Sequence, residues 1–305
     1  MKRFLLKTIL FSFSVLCIYI PVSLYLMPVA LEQIYGPSTK RQITKSFNDI
    51  KKKEYDLIIL GNSGPYRGIN PDSLEIPAYN FSHDNDSYNQ MYYKILWMER
   101  NNIKFNHLIL GVDYFHFNIF SGTRNYVYNG FFEDSYQKDY PDFFSNANIF
   151  LDRTQILDPG RLKFLLKLFE PKKTERFMKD NGQYVRPGKA KVDDDHVYSM
   201  HRLPVQMNYF NLIIDFCKEN NIDVVLCMLP KRKNILRHFK PDDIEEFNMY
   251  INSFTSNRIH YLNYSEQEGW TVADYTDRIH FNENAANKFS GVLNDDIMRL
   301  IKNKK

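Results

Sequence analysis

The sequence predicts an α/β protein: a doubly wound, mostly parallel five-stranded sheet behind a single N-terminal transmembrane helix, with a large insertion after the third strand. Three observations lead there. Short apolar runs alternate with helical patterns from residue 55 to the C terminus, the order that builds a sheet with crossover helices. The first 31 residues hold a long uncharged apolar run. Residues 114–203 break the alternation with an aromatic-rich stretch. A chain of 305 residues buries a sizeable core without covalent staples. Its three cysteines, Cys17, Cys217 and Cys227, fit neither a disulfide framework nor a metal-ligand spacing. A mean hydropathy of -0.46 excludes a many-span membrane protein.

Taken in order, the uncharged run of residues 8–31 is longer than the roughly 20 residues that cross a bilayer as a helix. It also exceeds the core of a signal peptide, and no A-x-A site follows, so residues 1–31 are expected to remain as an anchor. Residues 32–53 are polar and basic and read as a tether. The run 55–60 is a buried strand ending at Gly61, and 78–82 is a short second strand. Asp86 or Ser87 then caps a helix whose Tyr88, Met91, Tyr92 and Ile95 recur at helical steps. A third strand spans 107–112. A helix over 204–220 leads into a fourth strand at 222–229, closed by Pro230. A helix over 241–256 precedes a fifth strand at 259–263. Ala285, Phe289, Val292, Leu293, Ile297, Leu300 and Ile301 then lay an apolar stripe along a C-terminal helix. Within 114–203, residues 161–169 suggest one more helix. The folded domain is expected over 54–305, with 114–203 as an insertion in it.

The charge balance, Lys+Arg 40 against Asp+Glu 36, is basic overall. The anchor and tether hold nine of those basic residues and two of the acids, which leaves the domain slightly acidic. The basic excess thus fits a lipid surface beside the anchor, and no nucleic-acid partner is expected. With Lys2, Arg3 and Lys7 kept inside, the domain would lie outside the cytoplasm, although Lys40, Arg41, Lys45 and residues 51–53 compete with them.

Chemistry in such a sheet belongs at the carboxyl ends of its strands. The loop after the first strand, residues 61–68, places Ser63 beneath a following helix, where its own N–H could serve an oxyanion. Alone, G-x-S is equally a turn or a capping serine. Near the other end of the chain, Asp277 stands three residues ahead of His280. A serine hydroxyl needs a neutral imidazole to take its proton, and the imidazole needs a carboxylate to fix its tautomer. Taken together, the two elements point to Ser63 as nucleophile, His280 as base and then acid, and Asp277 as the orienting carboxylate.

These residues resemble the SGNH (GDSL-type) hydrolases. Gly61, Asn62 and Ser63 stand where that family's G-D-S motif stands, and Asp277 to His280 is similar to its C-terminal D-x-x-H. The resemblance covers roughly residues 55–300, with the insertion outside it. With an N-terminal anchor, the chain looks like the membrane-anchored acyl-transfer branch, which includes the D-alanyl transfer protein of lipoteichoic acid biosynthesis. The resemblance implies an O-acyl transferase or esterase acting on an extracytoplasmic cell-envelope polysaccharide, with a glycan acceptor and a membrane-bound O-acyltransferase as partners. An inactive relative that binds a glycan or docks that acyltransferase is the alternative. Two departures concern the oxyanion hole. The family's second block supplies a glycine amide, whereas residues 80–86 contain no glycine and put Ser82 there. The third block supplies an Asn, whereas Asp113 follows the third strand here. An ionised carboxylate repels an oxyanion, so Asp113 must be protonated, turned away or otherwise employed.

Other residues carry less. Arg67 could hold a phosphate or carboxylate of the acceptor, or pair with a helix-face acid. Asp193, Asp194, Asp195 and His196, with His201, are metal-capable but read as a solvated loop. His83 and His116 fit packing or a surface hydrogen bond. The aromatics at 114–117 and 126–132 fit a packed cap better than a sugar platform. No phosphate-loop, dinucleotide or zinc spacing is present, so no cofactor and no metal are expected.

Overall fold

The computed structural model describes residues 1–27, 29, 39–118, 120, 127–128, 130–132, 177–186, 188, 190 and 200–302. The expected helix at 161–169 and the acidic group at 193–196 lie outside them.

The N-terminal helix α1 (Lys2–Pro21) continues through a π-helical turn, Val22–Leu26. Those 25 residues are long and apolar enough to cross a membrane, and α1 itself buries no residue against the rest of the chain.

The sheet has five strands, all parallel, in the order β2-β1-β3-β6-β7. They are β1 (Leu57–Leu60), β2 (Ala78–Asn80), β3 (His107–Gly111), β6 (Asp223–Met228) and β7 (Ile259–Asn263). β1 is buried throughout, as a parallel strand covered on both faces must be, and this is why its sequence is continuously apolar. Successive residues face opposite sides. Ile58, Leu60, Leu108, Leu110, Val224 and Leu226 join one cluster, while Leu57, Ile59, Ile109 and Cys227 join another. The first cluster is covered by α4 (Tyr88–Arg100), α5 (Pro204–Glu219), the short α6 (Lys233–Leu236) and α7 (Pro241–Asn252). The second is covered chiefly by α8 (Glu283–Lys302), through Ala285, Ala286, Phe289, Leu293 and Ile297. Helices α4 and α5 both stop at an asparagine pair whose second member, Asn102 or Asn221, takes the left-handed conformation that ends helices.

Two segments depart from the expected organisation. The tether is in part a helix, α2 (Thr39–Asp49). Ile43, Phe47 and Ile50 recur at four and three residue steps and are fully or almost fully buried in the first cluster, so the folded unit begins before residue 54. Phe47 stacks on Phe131 at 4.1 Å and packs edge-on to Trp97 and Phe81. The stretch between β3 and α5 contributes an antiparallel hairpin, β4 (Phe177–Met178) with β5 (Tyr184–Val185), that leans on the carboxyl edge of the sheet. At its turn the Asn80 N–H donates to Asn181 O at 2.9 Å. Gly182 has φ +88 and approaches Asn80 so closely that a Cβ would collide with its carbonyl.

The docking of α2 is testable. Phe47→Ala should cost about 3–5 kcal/mol by urea denaturation, as a deleted core aromatic does. A loss within about 0.5 kcal/mol, typical of a surface site, would return α2 to the status of a tether.

Candidate active site

The chain passes from β1 to β2 on one side and then to β3 on the other, so the carboxyl ends of β1 and β3 flank the point where the winding reverses. Open α/β sheets form their crevice there. Gly61 directly follows β1 and Gly111 ends β3, and a Cβ on either would collide with the ring of Pro65. Pro65 thus sits directly on the backbone of the two central strands. It belongs to the short helix α3 (Ser63–Gly68), whose N-cap Asn62 accepts the Gly64 N–H at 3.0 Å. The Asn80 amide holds the far end of α3, donating to Pro65 O at 2.8 Å and Ile69 O at 2.9 Å. Ser63 is the first residue of this fixed helix, a position whose N–H has no partner within the helix.

His280 reaches Ser63 from the loop ahead of α8. Tyr275 bridges Phe281, and the Thr276 N–H donates to His280 O at 2.8 Å, which closes the loop. Inside it the Asp277 Oδ1 accepts the amides of Ile279 and His280, both at 3.1 Å. The same carboxylate lies 2.8 Å from His280 Nδ1, and His280 Nε2 lies 2.7 Å from Ser63 Oγ. A carboxylate can only accept, so Nδ1 carries the proton and Nε2 is left to accept from the serine hydroxyl. Helix α8 is fixed relative to α3 by polar side chains: Ser290 Oγ accepts the Asn70 N–H at 2.8 Å, and Asn294 Oδ1 accepts that of Glu75 at 2.8 Å.

The electrostatics favour a neutral imidazole at His280. Burial pushes the imidazole of His280 below its ordinary value and the Arg67 guanidinium adds to this, with Asp277 opposing. For Asp277, burial alone would raise the carboxyl. The hydrogen bond and charge of His280 and the two loop amides outweigh it, and the group is held well below the carboxylate range.

The remaining expected site residues fall elsewhere. Ser82 is fully buried; its N–H donates to Asn80 Oδ1 at 3.2 Å and its hydroxyl to Ile59 O at 3.4 Å, so its amide is already engaged and does not open onto the crevice. Asp113 pairs with Lys231, which follows β6, and its other oxygen, Oδ1, is buried without a hydrogen bond. It therefore does not stand in for an oxyanion donor. Arg67 pairs with an acid, Asp84 in the loop after β2, through Nε at 3.1 Å and Nη2 at 2.6 Å. His83 and His116 lie inside, around a buried ion pair in which Lys94 Nζ meets Asp86 at 2.5 Å, Phe81 O at 2.6 Å and His83 Nδ1 at 2.6 Å. The His116 ring nitrogen Nε2 is 2.9 Å from Asp86 O, and the Tyr128 hydroxyl donates to Asp86.

Sequence reasoning passed over the hairpin and Asp84. Tyr184 stacks on Tyr66 at 5.2 Å, Gln183 Nε2 donates to Arg67 O at 3.3 Å, and Arg186 lies 3.8 Å from Asp277. Tyr66 in turn donates to Gln42 of α2 at 3.1 Å. No sequence signal marks these residues beyond their polarity. Among the described residues no cluster of metal ligands occurs. No family model and no curated protein matches this chain.

The buried pair beneath the site sets an acid limit. Burial would raise the Asp86 carboxyl, but Lys94 and His83 lower it from 3.8 to about 2. That contribution to stability, about 2 kcal/mol, is fully present above pH 4 or so and is lost as the pH falls through about 2. Asp86→Asn should remove this part of the acid-unfolding slope. Lys94→Met, which takes the lysine charge away from the buried Asp86, should cost about 3–5 kcal/mol at neutral pH by urea denaturation.

Proposed function

We propose that this chain is a membrane-anchored serine acyltransferase or esterase of the SGNH type. It would move an O-acyl group, acetyl in the simplest case, on a cell-envelope polysaccharide outside the cytoplasm. The observation that carries the reading is the continuous Asp277–His280–Ser63 chain, at 2.8 and 2.7 Å, placed on α3 at the point where the winding reverses. The order of the motifs along the sheet and the apolar helix ahead of the domain support it.

In the first half-reaction the Ser63 oxygen attacks the acyl carbon while its proton passes to His280 Nε2. The bond from the acyl carbon to its leaving oxygen breaks, and that oxygen takes the proton from His280. The acyl group remains on Ser63 as an ester. In the second half a sugar hydroxyl, or water for an esterase, gives its proton to Nε2 and attacks the ester; the bond from the acyl carbon to Ser63 Oγ breaks, and Oγ takes the proton back from Nε2. Asp277 stays ionised throughout and stabilises the imidazolium that forms in each half. The Ser63 N–H is the one oxyanion donor that the described residues offer on the family pattern, because the Ser82 amide and Asp113 are otherwise employed.

That shortage favours a second reading, an inactive SGNH-like scaffold that binds a glycan or docks a membrane-bound O-acyltransferase. The two separate on one experiment. With a p-nitrophenyl acyl ester, the full chain in detergent should release a burst and carry the acyl group on Ser63 by mass spectrometry. Ser63→Ala should abolish both, and Asp277→Asn should slow acylation by about three to four orders of magnitude. Absence of a burst and of any Ser63 adduct would favour the scaffold. Since the base must be neutral, the acylation rate should rise with pH to a plateau, with its midpoint below the 6.5 of an ordinary histidine.

A further inference from the structure

Arg67 has a place that pairing with Asp84 alone does not explain. Its guanidinium is nearly buried, with 8% of the side chain exposed, and uses Nε and Nη2 on the two oxygens of Asp84. The third nitrogen, Nη1, is turned to the triad, 3.2 Å from His280 Nδ1 and 3.7 Å from Asp277 Oδ2. Nδ1 cannot accept from it, because that nitrogen already gives its proton to Asp277. The contact with the ring is thus one of charge. A cation at that distance opposes a second positive charge on the imidazole, and at the same time attracts the outer oxygen of Asp277. The position is enforced from several sides. Asp84 fixes the plane of the fork as a bidentate partner. The Tyr184 ring lies 5.7 Å from the guanidinium carbon, and Gln183 holds the Arg67 carbonyl.

We propose that Arg67 is a positioning residue of the triad: clamped by Asp84, it holds His280 in its neutral, Nδ1-protonated form and Asp277 in register with it. The proposal rests on the triad reading for its catalytic meaning, but its physical content is a property of the imidazole that exists with or without turnover. The charged groups facing His280 are Asp277 in its own loop, Arg67 on α3 and Asp84 after β2, with Arg186 of the hairpin beyond Asp277. Arg67 and Asp84 act in opposite senses, the first disfavouring the imidazolium and the second favouring it.

The test uses the full chain in detergent, with histidine ring carbons labelled and the His280 resonance assigned by its loss in His280→Asn. Arg67→Gln should raise the NMR titration midpoint of His280 by about one pH unit, and Asp84→Asn, which keeps an acceptor oxygen for the Arg67 fork and removes only the negative charge, should lower it. The pH midpoint for labelling of Ser63 by a fluorophosphonate should move in the same directions, and Arg67→Gln should regain rate at high pH. Opposite shifts are the decisive result, because two variants that merely loosened the site would move the midpoint the same way. An unchanged His280 midpoint in an Arg67→Gln protein of wild-type unfolding midpoint would overturn the proposal. Should Arg67→Gln fail to fold, a midpoint in Asp84→Asn that stays or rises would overturn it equally. Shifts of the expected sign without any labelling of Ser63 would support the role of Arg67 and count against the acyl-transfer reading alone.

Discussion

The contact on which the site depends is that of the Pro65 ring with the backbones of Gly61 and Gly111. At the ends of the two central strands stands the one residue type that leaves room for it, so α3 can lie directly on the carboxyl edge. Proline suits the position because it offers no N–H that this close approach would bury without a partner. Once α3 is seated, the Asn80 amide bonds the carbonyls of Pro65 and of Ile69 at its C-cap, and Asn62 caps its start, which fixes the place of Ser63. The distance from Ser63 to His280 is then decided by α8, which the second hydrophobic cluster and the Asn70 and Glu75 contacts bring to α3.

A second regularity is the pairing of buried charge along that edge. Three acids in the loops after β2 and β3 each meet a base from another element: Asp84 with Arg67, Asp86 with Lys94, Asp113 with Lys231. Such pairs seldom add stability over apolar residues of the same size, since desolvating both partners costs about as much as their attraction returns. What they do provide is a loop conformation with no cheap alternative, because each rearrangement would strand a charge. The loops that surround Ser63 are shaped by that penalty more than by packing.

Much of this was legible in the sequence and some was not. The strands were, because a parallel strand buried on both faces must be continuously apolar, and the runs at 57–60 and 224–228 are. The Asp277–His280 pair was, because both residues lie in one closed loop whose amides turn the carboxylate inward. Helix α2 was hidden by Lys40, Arg41, Lys45 and residues 51–53, which gave a basic average to a segment whose Ile43, Phe47 and Ile50 form a stripe. The two-residue strands of the hairpin are too short for any period to show. Arg67 with Asp84, and Asp113 with Lys231, are joined only by the tertiary fold, so residue type alone could not assign their partners. In both cases a side chain considered for the site, Arg67 or Asp113, is satisfied from within.

The separation of 217 residues between His280 and Ser63 also bears on the order of assembly. Loop closure over that distance is entropically costly and non-local pairings form late. Chains emerge from the N terminus as they are made, and Ser63 lies just after the first strand while His280 precedes the last helix. During synthesis the serine is therefore in place for most of the chain's growth as an ordinary, unactivated hydroxyl. The Ser63–His280 contact forms only once α8 docks with the loop ahead of it, and a chain that ended before that loop would keep all five strands yet lack His280 altogether.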